Sequence, residues 1–538
     1  MSISLVAAAG LRSLSGGRGV PPATIWAPAL LVGAVLLLPL VYLIVRTFGG
    51  GGDIWDLLFR QRVAEILGRT VLLVVTVTAA SIILALPLAW LTTRTDLPFR
   101  RAWVVLTALP LVIPSYVAGF IVVAALGPRG MLQGTLDGPF GVDRLPDIHG
   151  FAGALLTLTF LSFPYVVLTV RAAMLRIDPA MEESSRGLGR GNWATFFLIT
   201  LPLLRPGVAA GGLLVALYTL SDFGAVSLLR YETFTWAIFV QYESALDRTL
   251  GAGLSLSLVV LALAIVGLEL VSRGRARYYS SSTSASRPPA TVRLGRWRWP
   301  AVAFCSSVVA VSLAAPMSIL GYWVVRGISN GEPLDVVWEA VGNSVYIAGL
   351  SATAAVVAAL PVAALSVRYP GLLSGLLERL SYIGFALPGI AIALALVFFG
   401  GRYASPLYQT TGLLLLAYVV LYLSPALGAV RTSLLQISPR IEEAARGLGR
   451  SPIRAFSSAT LPVARPGLLA GWALVFLLVM KELPATLILS PIGFNTLATS
   501  IWSAASEAFF ARAALPALLL IAASAVPLAF LILRERRL

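Results

Sequence analysis

Long apolar runs, separated by short polar or arginine-bearing segments, recur along the whole chain. Ala27 opens "APALLVGAVLLLPLVYLIV" and Leu254 opens "LSLSLVVLALAIVGLELV". These runs are continuous rather than alternating, and they reach the ~20 residues that a helix needs to cross a bilayer. A membrane barrel would need short alternating segments instead. Twelve spans are predicted, at 27–46, 70–93, 102–126, 151–171, 206–229, 252–272, 300–325, 344–367, 380–400, 411–430, 466–490 and 513–533. The expected class is an all-α polytopic membrane protein.

Composition agrees with that pattern: 58% of residues are hydrophobic and 12% charged, against about a quarter charged in soluble domains. The net charge of +16 is mostly a topology signal. The N-terminal tail and alternate loops hold 28 arginines, whereas the opposite loops hold 11. The arginine-rich side is expected to be cytoplasmic, with both termini inside. Nucleic acid is not an expected partner, because the basic residues are spread over many loops without an aromatic platform. The apolar run that follows the tail 1–26 is too long for a typical signal peptide, so it reads as an uncleaved first span.

The two parts of the chain look like copies. "TVLLVVTVTAASIILALPLAWL" from Thr70 aligns with "SVYIAGLSATAAVVAALPVAAL" from Ser344, 274 residues later. "ALP" ending at Pro110 aligns with "ALP" ending at Pro388, 278 later, and beyond the fourth span the offset falls to 260. Six spans separate equivalent points, so the halves share one orientation and form a parallel repeat about an axis along the membrane normal. The first half covers 27–272 and the second 299–538. Between them, 273–298 is rich in Arg, Ser and Pro and reads as a cytoplasmic linker.

One cytoplasmic segment is kept more closely than the spans. "EESSRGLGRGNWATFFLITLPLLRPG" from Glu182 lies in loop 176–205, and "EEAARGLGRSPIRAFSSATLPVARPG" from Glu442 lies in loop 436–465. Seven of ten positions are identical between 181–190 and 441–450. Asp178-Pro179 and Ser438-Pro439 are helix-start signals. Gly187 and Gly189, like Gly447 and Gly449, are expected to stop the helix. Pro202 and Pro206, with Pro462 and Pro466, are expected to break the chain before the next span. A solvated loop that drifts less than its packed neighbours reads as a docking surface.

This segment resembles the motif of binding-protein-dependent ABC importer permeases, Glu-Ala-Ala, three residues, Gly, nine residues, Ile, one residue, Leu-Pro. Glu183-Ser184-Ser185, Gly189, Ile199 and Leu201-Pro202 fit it, as do Glu443-Ala444-Ala445, Gly449 and Leu461-Pro462. Ser184, Ser185 and Ala459 depart from the motif without altering its spacing. The resemblance implies a type I importer fold of about 12 transmembrane helices in two parallel halves, in a bacterial inner membrane. It also implies two coupling helices, containing Glu182, Glu183, Arg186, Gly187, Leu188 and Gly189, and Glu442, Glu443, Arg446, Gly447, Leu448 and Gly449. These would dock on two copies of a cytoplasmic ATPase, with Leu188 and Leu448 as apolar anchors. "LSDFGAVSLLRYETF" from Leu220 and "KELPATLILSPIGFNTLA" from Lys481 resemble ferric-iron permeases, which implies an extracytoplasmic iron-binding protein. Fused permeases for thiamine or organophosphonates share the layout.

The chain lacks Gly-x-x-x-x-Gly-Lys-Ser/Thr, and its only lysine is Lys481, so no standard P-loop exists here. Mg-ATP is therefore expected on a partner chain, with no cofactor and no catalytic residue in this one. Within the predicted membrane lie Ser221 and Asp222 in the fifth span, and Lys481 and Glu482 in the eleventh. Charges there are costly unless paired or hydrated. They read equally as a gate lining the path between the halves or as an ion pair, Lys481 with Asp222 or Glu482, that fixes the halves together. Carboxylates suit a hard cation in transit, but Lys481 speaks against a resident metal.

His149, with Asp143 and Asp147 in an external loop, reads as surface before metal site. The acidic residues Asp53, Asp56, Glu65, Glu332, Asp335 and Glu339 read equally as solvated loops or as a surface for the binding protein. Segments from Phe234 and Phe494 are expected as external helices, anchored at the interface by Trp236 and Trp502 or touching the binding protein. The single Cys305 excludes an intrachain disulfide. A secondary transporter with parallel repeats, using Asp222 and Glu482 for proton coupling, is the alternative class. It gives no reason for paired cytoplasmic motifs.

Overall fold

The computed structural model describes residues 22–49, 53–245, 248–272, 291–332 and 335–535. Most of the predicted tail and most of the linker, 1–21 and 273–290, lie outside the described residues. Among the described residues there is no strand; a lone β-bridge joins Thr95 to Val292. Eleven helices are long and apolar enough to cross a membrane. The ninth expected span, 380–400, falls instead on two helices, Leu372–Ala386 and Gly389–Tyr403.

Four predicted spans are broken rather than continuous. The third divides into Arg100–Leu106, a short turn at Leu109–Val112, and Ser115–Leu126. The ninth divides at Leu387-Pro388. Proline disfavours the helical region for the residue before it, and Ile113 (ψ 122°) and Leu387 (ψ 133°) are both extended. The fifth span ends at Ser221 and resumes as Gly224–Leu228; the eleventh ends at Met480 and resumes as Pro484–Leu489. Interrupted backbone is tolerated at membrane depth only where protein or a cavity covers it. Ile113, Pro114, Asp222, Phe223, Leu387, Pro388 and Leu483 are all buried.

The breaks also correct the repeat register. Pro114 and Pro388 each precede the resumed helix with extended backbone, so they are the structural equivalents, at the same 274 offset as the second spans. The Pro110 alignment is four residues out of step.

In each half the fourth span, Phe151–Leu175 or Thr411–Leu435, packs against the second, Gln61–Arg94 or Asp335–Arg368, and against the fifth, Leu201–Ser221 or Leu461–Met480. The first span, Ala23–Phe48, lies mainly on the eighth and ninth spans of the second half, while Ala301, Cys305 and Val308 of the seventh span join the core of the first. This exchange of outer spans ties the halves together.

Candidate functional site

Each of the two segments, 176–205 and 436–465, folds as the start signals require. Asp178 accepts the Ala180 amide at 3.0 Å and opens the helix Pro179–Gly187; Ser438 accepts the Arg440 amide at 3.4 Å and opens Pro439–Gly447. The left-handed residues that end the turn are Gly189 (φ +80°) and Gly449 (φ +83°), where a side chain would strain the backbone. Gly187 and Gly447 are instead the last helical residues, which corrects their reading as stops. Leu188 is 81% exposed and Leu448 85%. Burying two such side chains against a partner is worth about 1.5–3 kcal/mol each.

No break follows at the prolines. The chain runs through a π-helical turn, Phe196–Thr200 or Phe456–Thr460, straight into the fifth or eleventh span. Leu201 and Leu461 donate to the carbonyls of Phe196 and Phe456, five residues back. That wider turn shifts the hydrogen-bond ladder ahead of Pro202 and Pro462, so the missing amides do not interrupt the helix.

The paired glutamates have divided roles. Glu183 and Glu443 are exposed, with Arg186 and Arg446. Glu182 and Glu442 face inward. Arg94, at the C-terminal end of the second span, holds Glu182 at 3.5 Å and donates to the Met174 carbonyl at 3.1 Å. Arg368, its equivalent, holds Glu442 at 3.6 Å and donates to the Ile437 carbonyl at 3.3 Å. Both arginines entered above only through the chain's charge bias; the signal for their role was that Arg94 and Arg368 share the 274 offset of the second spans, while Glu182 and Glu442 share the 260 offset of the loops.

The four membrane residues sit at the breaks. Asp222 accepts the amides of Ala225 (3.0 Å) and Val226 (3.3 Å), capping the resumed helix from its own side chain. Glu482 accepts the Ala485 amide at 3.2 Å and the Tyr422 hydroxyl. Each lies against the resumed helix of the third or ninth span: a Cβ on Gly224 would strike Tyr116 and Ser115, and one on Gly389 would strike Glu482. Among the described residues Lys481 pairs with neither carboxylate. Its Nζ crosses to the other half and donates to the Leu111 carbonyl at 2.8 Å. The ion-pair expectation is thereby corrected; the contact between halves is real, but it is made with backbone freed by the third-span break. Ser221, the equivalent of Lys481, is half-buried at the helix end.

Outside these breaks, aromatic rings from both halves meet. Phe223 packs on Trp502 at 5.1 Å, and Phe120 on Phe510 at 6.2 Å. The external helices are Phe234–Val240 and Leu497–Ser506. Trp502 therefore packs across the halves, contrary to an interfacial anchor. A cavity of about 200 Å³ above this seal is lined by residues that include His149, Trp236, Arg230 and Trp502. His149 Nδ1 bonds Asp147, and no group of three metal-ligating side chains occurs among the described residues. The same Asp147 accepts the His149 amide at 3.0 Å, which with the ring contact pulls its carboxyl below the ordinary 3.8. Of the external acids, Glu332 is bound by Arg512 at 2.7 Å and Glu65 by Gln61 at 2.9 Å.

Residues 81–278 and 352–538 match the family described as binding-protein-dependent transport system inner membrane component. The chain belongs to this family. Its members are transport permeases, and the chain is a multi-pass inner-membrane protein. It is 37% identical to the Fe(3+)-transport system permease protein FbpB 2 of Haemophilus influenzae over 94% of this chain and 97% of that one. It is 25% identical to the ferric transport system permease protein FbpB of Actinobacillus pleuropneumoniae over 76% of this chain and 62% of that one. The molybdenum transport system permease protein ModB of Escherichia coli is 33% identical over 39% of this chain and 93% of its own length. That match spans 219 residues, so about two fifths of this chain corresponds to nearly the whole of that relative.

Proposed function

We propose that this chain is the membrane subunit of an ATP-driven importer for ferric iron. The observation that carries the substrate is its full-length similarity to a ferric permease. Two short capped helices on one side, each with an exposed leucine and an exposed glutamate, support docking on two ATPase subunits that hold Mg-ATP. The arginine distribution supports both termini inside, and an extracytoplasmic binding protein would meet the opposite face. Iron would pass between the fifth and eleventh spans, where the Asp222 and Glu482 caps hold two broken helices at the meeting of the halves. Shifting either cap frees buried amides, so the breaks are suited to switching between two packed arrangements rather than to holding an ion.

The test is uptake of labelled ferric iron in cells lacking the gene, with the chain supplied alone or alongside its ATPase, and labelled thiamine in parallel. Iron uptake that needs the ATPase is the expected result. Thiamine uptake without iron uptake overturns the substrate, and uptake that ignores the ATPase overturns the class.

A further inference from the structure

We infer that the second span of each half is a transmission rod, clamped at its cytoplasmic end to the coupling helix by Arg94 or Arg368 and at its outer end to the external helix by Thr70 or Ser344. The inference rests on the coupling reading above and adds how motion crosses the membrane.

The cytoplasmic clamp is built the same way twice. The side chains of Arg94 and Arg368 are only 4% and 12% exposed, and those of Glu182 and Glu442 only 16% and 20%. A guanidinium so placed has little water to turn to, so it stays with its carboxylate and carbonyl partners. Each arginine thereby joins three elements: the second span, the end of the fourth span or the turn after it, and the coupling helix. The outward-facing Glu183, Leu188, Glu443 and Leu448 stay free for a partner, so the helix is gripped from the membrane side while its other face is offered to the cytoplasm.

The outer clamp is repeated as well. The Phe234 amide, opening the first external helix, donates to Thr70 Oγ1 at 3.2 Å, and the Tyr231 hydroxyl donates to the Arg69 carbonyl at 3.1 Å. The Leu497 amide, opening the second, donates to Ser344 Oγ at 2.7 Å, while Asn343 donates to the Asn495 carbonyl at 3.0 Å. Thr70 and Ser344 stand at the 274 offset, as Arg94 and Arg368 do. Both clamps of each half lie on one unbroken helix, Gln61–Arg94 or Asp335–Arg368, and the stretch between them, 70–94 or 344–368, is about 36 Å long at 1.5 Å per residue. The third, fifth, ninth and eleventh spans are all broken within the membrane; a broken helix bends where a continuous one carries a push. The second external helix also carries Trp502, which closes on Phe223 of the other half, so a rod that moves this helix moves the outer seal.

The experiment uses the full chain assembled with its ATPase in proteoliposomes. Spin labels at Glu243→Cys and Ser503→Cys, in a Cys305→Ser background, report the separation of the external segments with and without ATP. The parent complex is expected to change that separation. In Arg94→Ala/Arg368→Ala, ATPase turnover is expected to stay within about twofold while the ATP-driven change vanishes and iron uptake falls at least about tenfold. Arg94→Lys/Arg368→Lys, which keeps the charge but not the fork, should recover part of both. In an assembled complex, a merely structural role would instead lower turnover and uptake together, and that result overturns the rod. Should the alanine pair fail to assemble, Thr70→Val/Ser344→Ala tests the outer clamp, and unchanged motion of the external segments overturns the inference. Glu183→Arg/Glu443→Arg separates the two readings. Motion lost there but kept in the clamp variants overturns the rod alone; motion kept in both overturns the coupling reading and the rod with it.

Discussion

Asp222 and Glu482 occupy the same place in their halves, yet they are served differently. Asp222 receives two amides of the helix that it caps and the hydroxyl of Ser115. Glu482 receives one amide and a tyrosine hydroxyl, and the residue before it, Lys481, reaches into the other half. The cytoplasmic clamps differ in the same spirit. Thr200 donates to Glu182 at 3.0 Å, whereas the equivalent Thr460 hydroxyl is buried without a hydrogen-bond partner; Nε of Arg94 and of Arg368 both lack a hydrogen bond, and Nη2 of Arg368 lacks one too. Duplication has kept what the backbone demands, namely caps, breaks and left-handed glycines. It has let go of side-chain partners that one half can do without. The first half is the more tightly fastened at the clamp, and the second provides the link between halves.

Lys481→Met against Ser221→Ala puts that contrast under the greatest load. The methionine leaves the Leu111 carbonyl without its donor, at a cost of about 1–3 kcal/mol, and iron uptake and complex stability should both fall clearly. Ser221→Ala should leave both nearly unchanged. Equal effects in uptake and thermal-denaturation assays would show the halves to be interchangeable here.

A smaller difference is expected at the clamps. Thr200→Val removes a hydrogen bond to a carboxylate and should lower stability by about 1.5 kcal/mol or somewhat more. Thr460→Val removes a buried hydroxyl that has no protein partner and should be neutral or stabilising. Thermal melts of the two variants read the comparison directly, and destabilisation of the same size by both would break it.

The smallest effect belongs to the loop around 127–150, which is longer than its counterpart near 401–409 in the second half. Asp147 titrates below its ordinary value in the folded chain because the His149 amide and ring stabilise the carboxylate. Its contribution is therefore present above pH 3.8 and is lost as pH falls through the lowered folded value. Hydrogen exchange at His149 should rise only in that acid window, and Asp147→Asn should abolish the pH dependence. The site is exposed, so solvent screening keeps the effect slight.

Much of this was legible in the chain. The spans, the parallel repeat and both cytoplasmic helices follow from apolar runs, a 274-to-260 offset and capped Pro starts, because these are local signals or long, strong ones. The breaks were not, although Pro114 and Pro388 were in plain view: in a bilayer, a proline is compatible with either an intact helix or a break. Pro87 and Pro361 lie inside unbroken second spans, while Pro114 and Pro388 open breaks. The neighbouring backbone decides, and only its burial shows which breaks the membrane will accept.

The sequence by itself determined that this is a two-fold repeated helical membrane protein with a short capped helix before the fifth span of each half, since hydrophobic length and helix caps act within a few turns of chain. Tertiary structure alone decided which glutamate of each pair faces inward, where Lys481 finds its partner, and which span runs unbroken from one clamp to the other. Those choices depend on which groups lie within a few ångströms after packing. A hydrogen bond between Lys481 and Leu111, 370 residues apart, leaves no trace in local pattern.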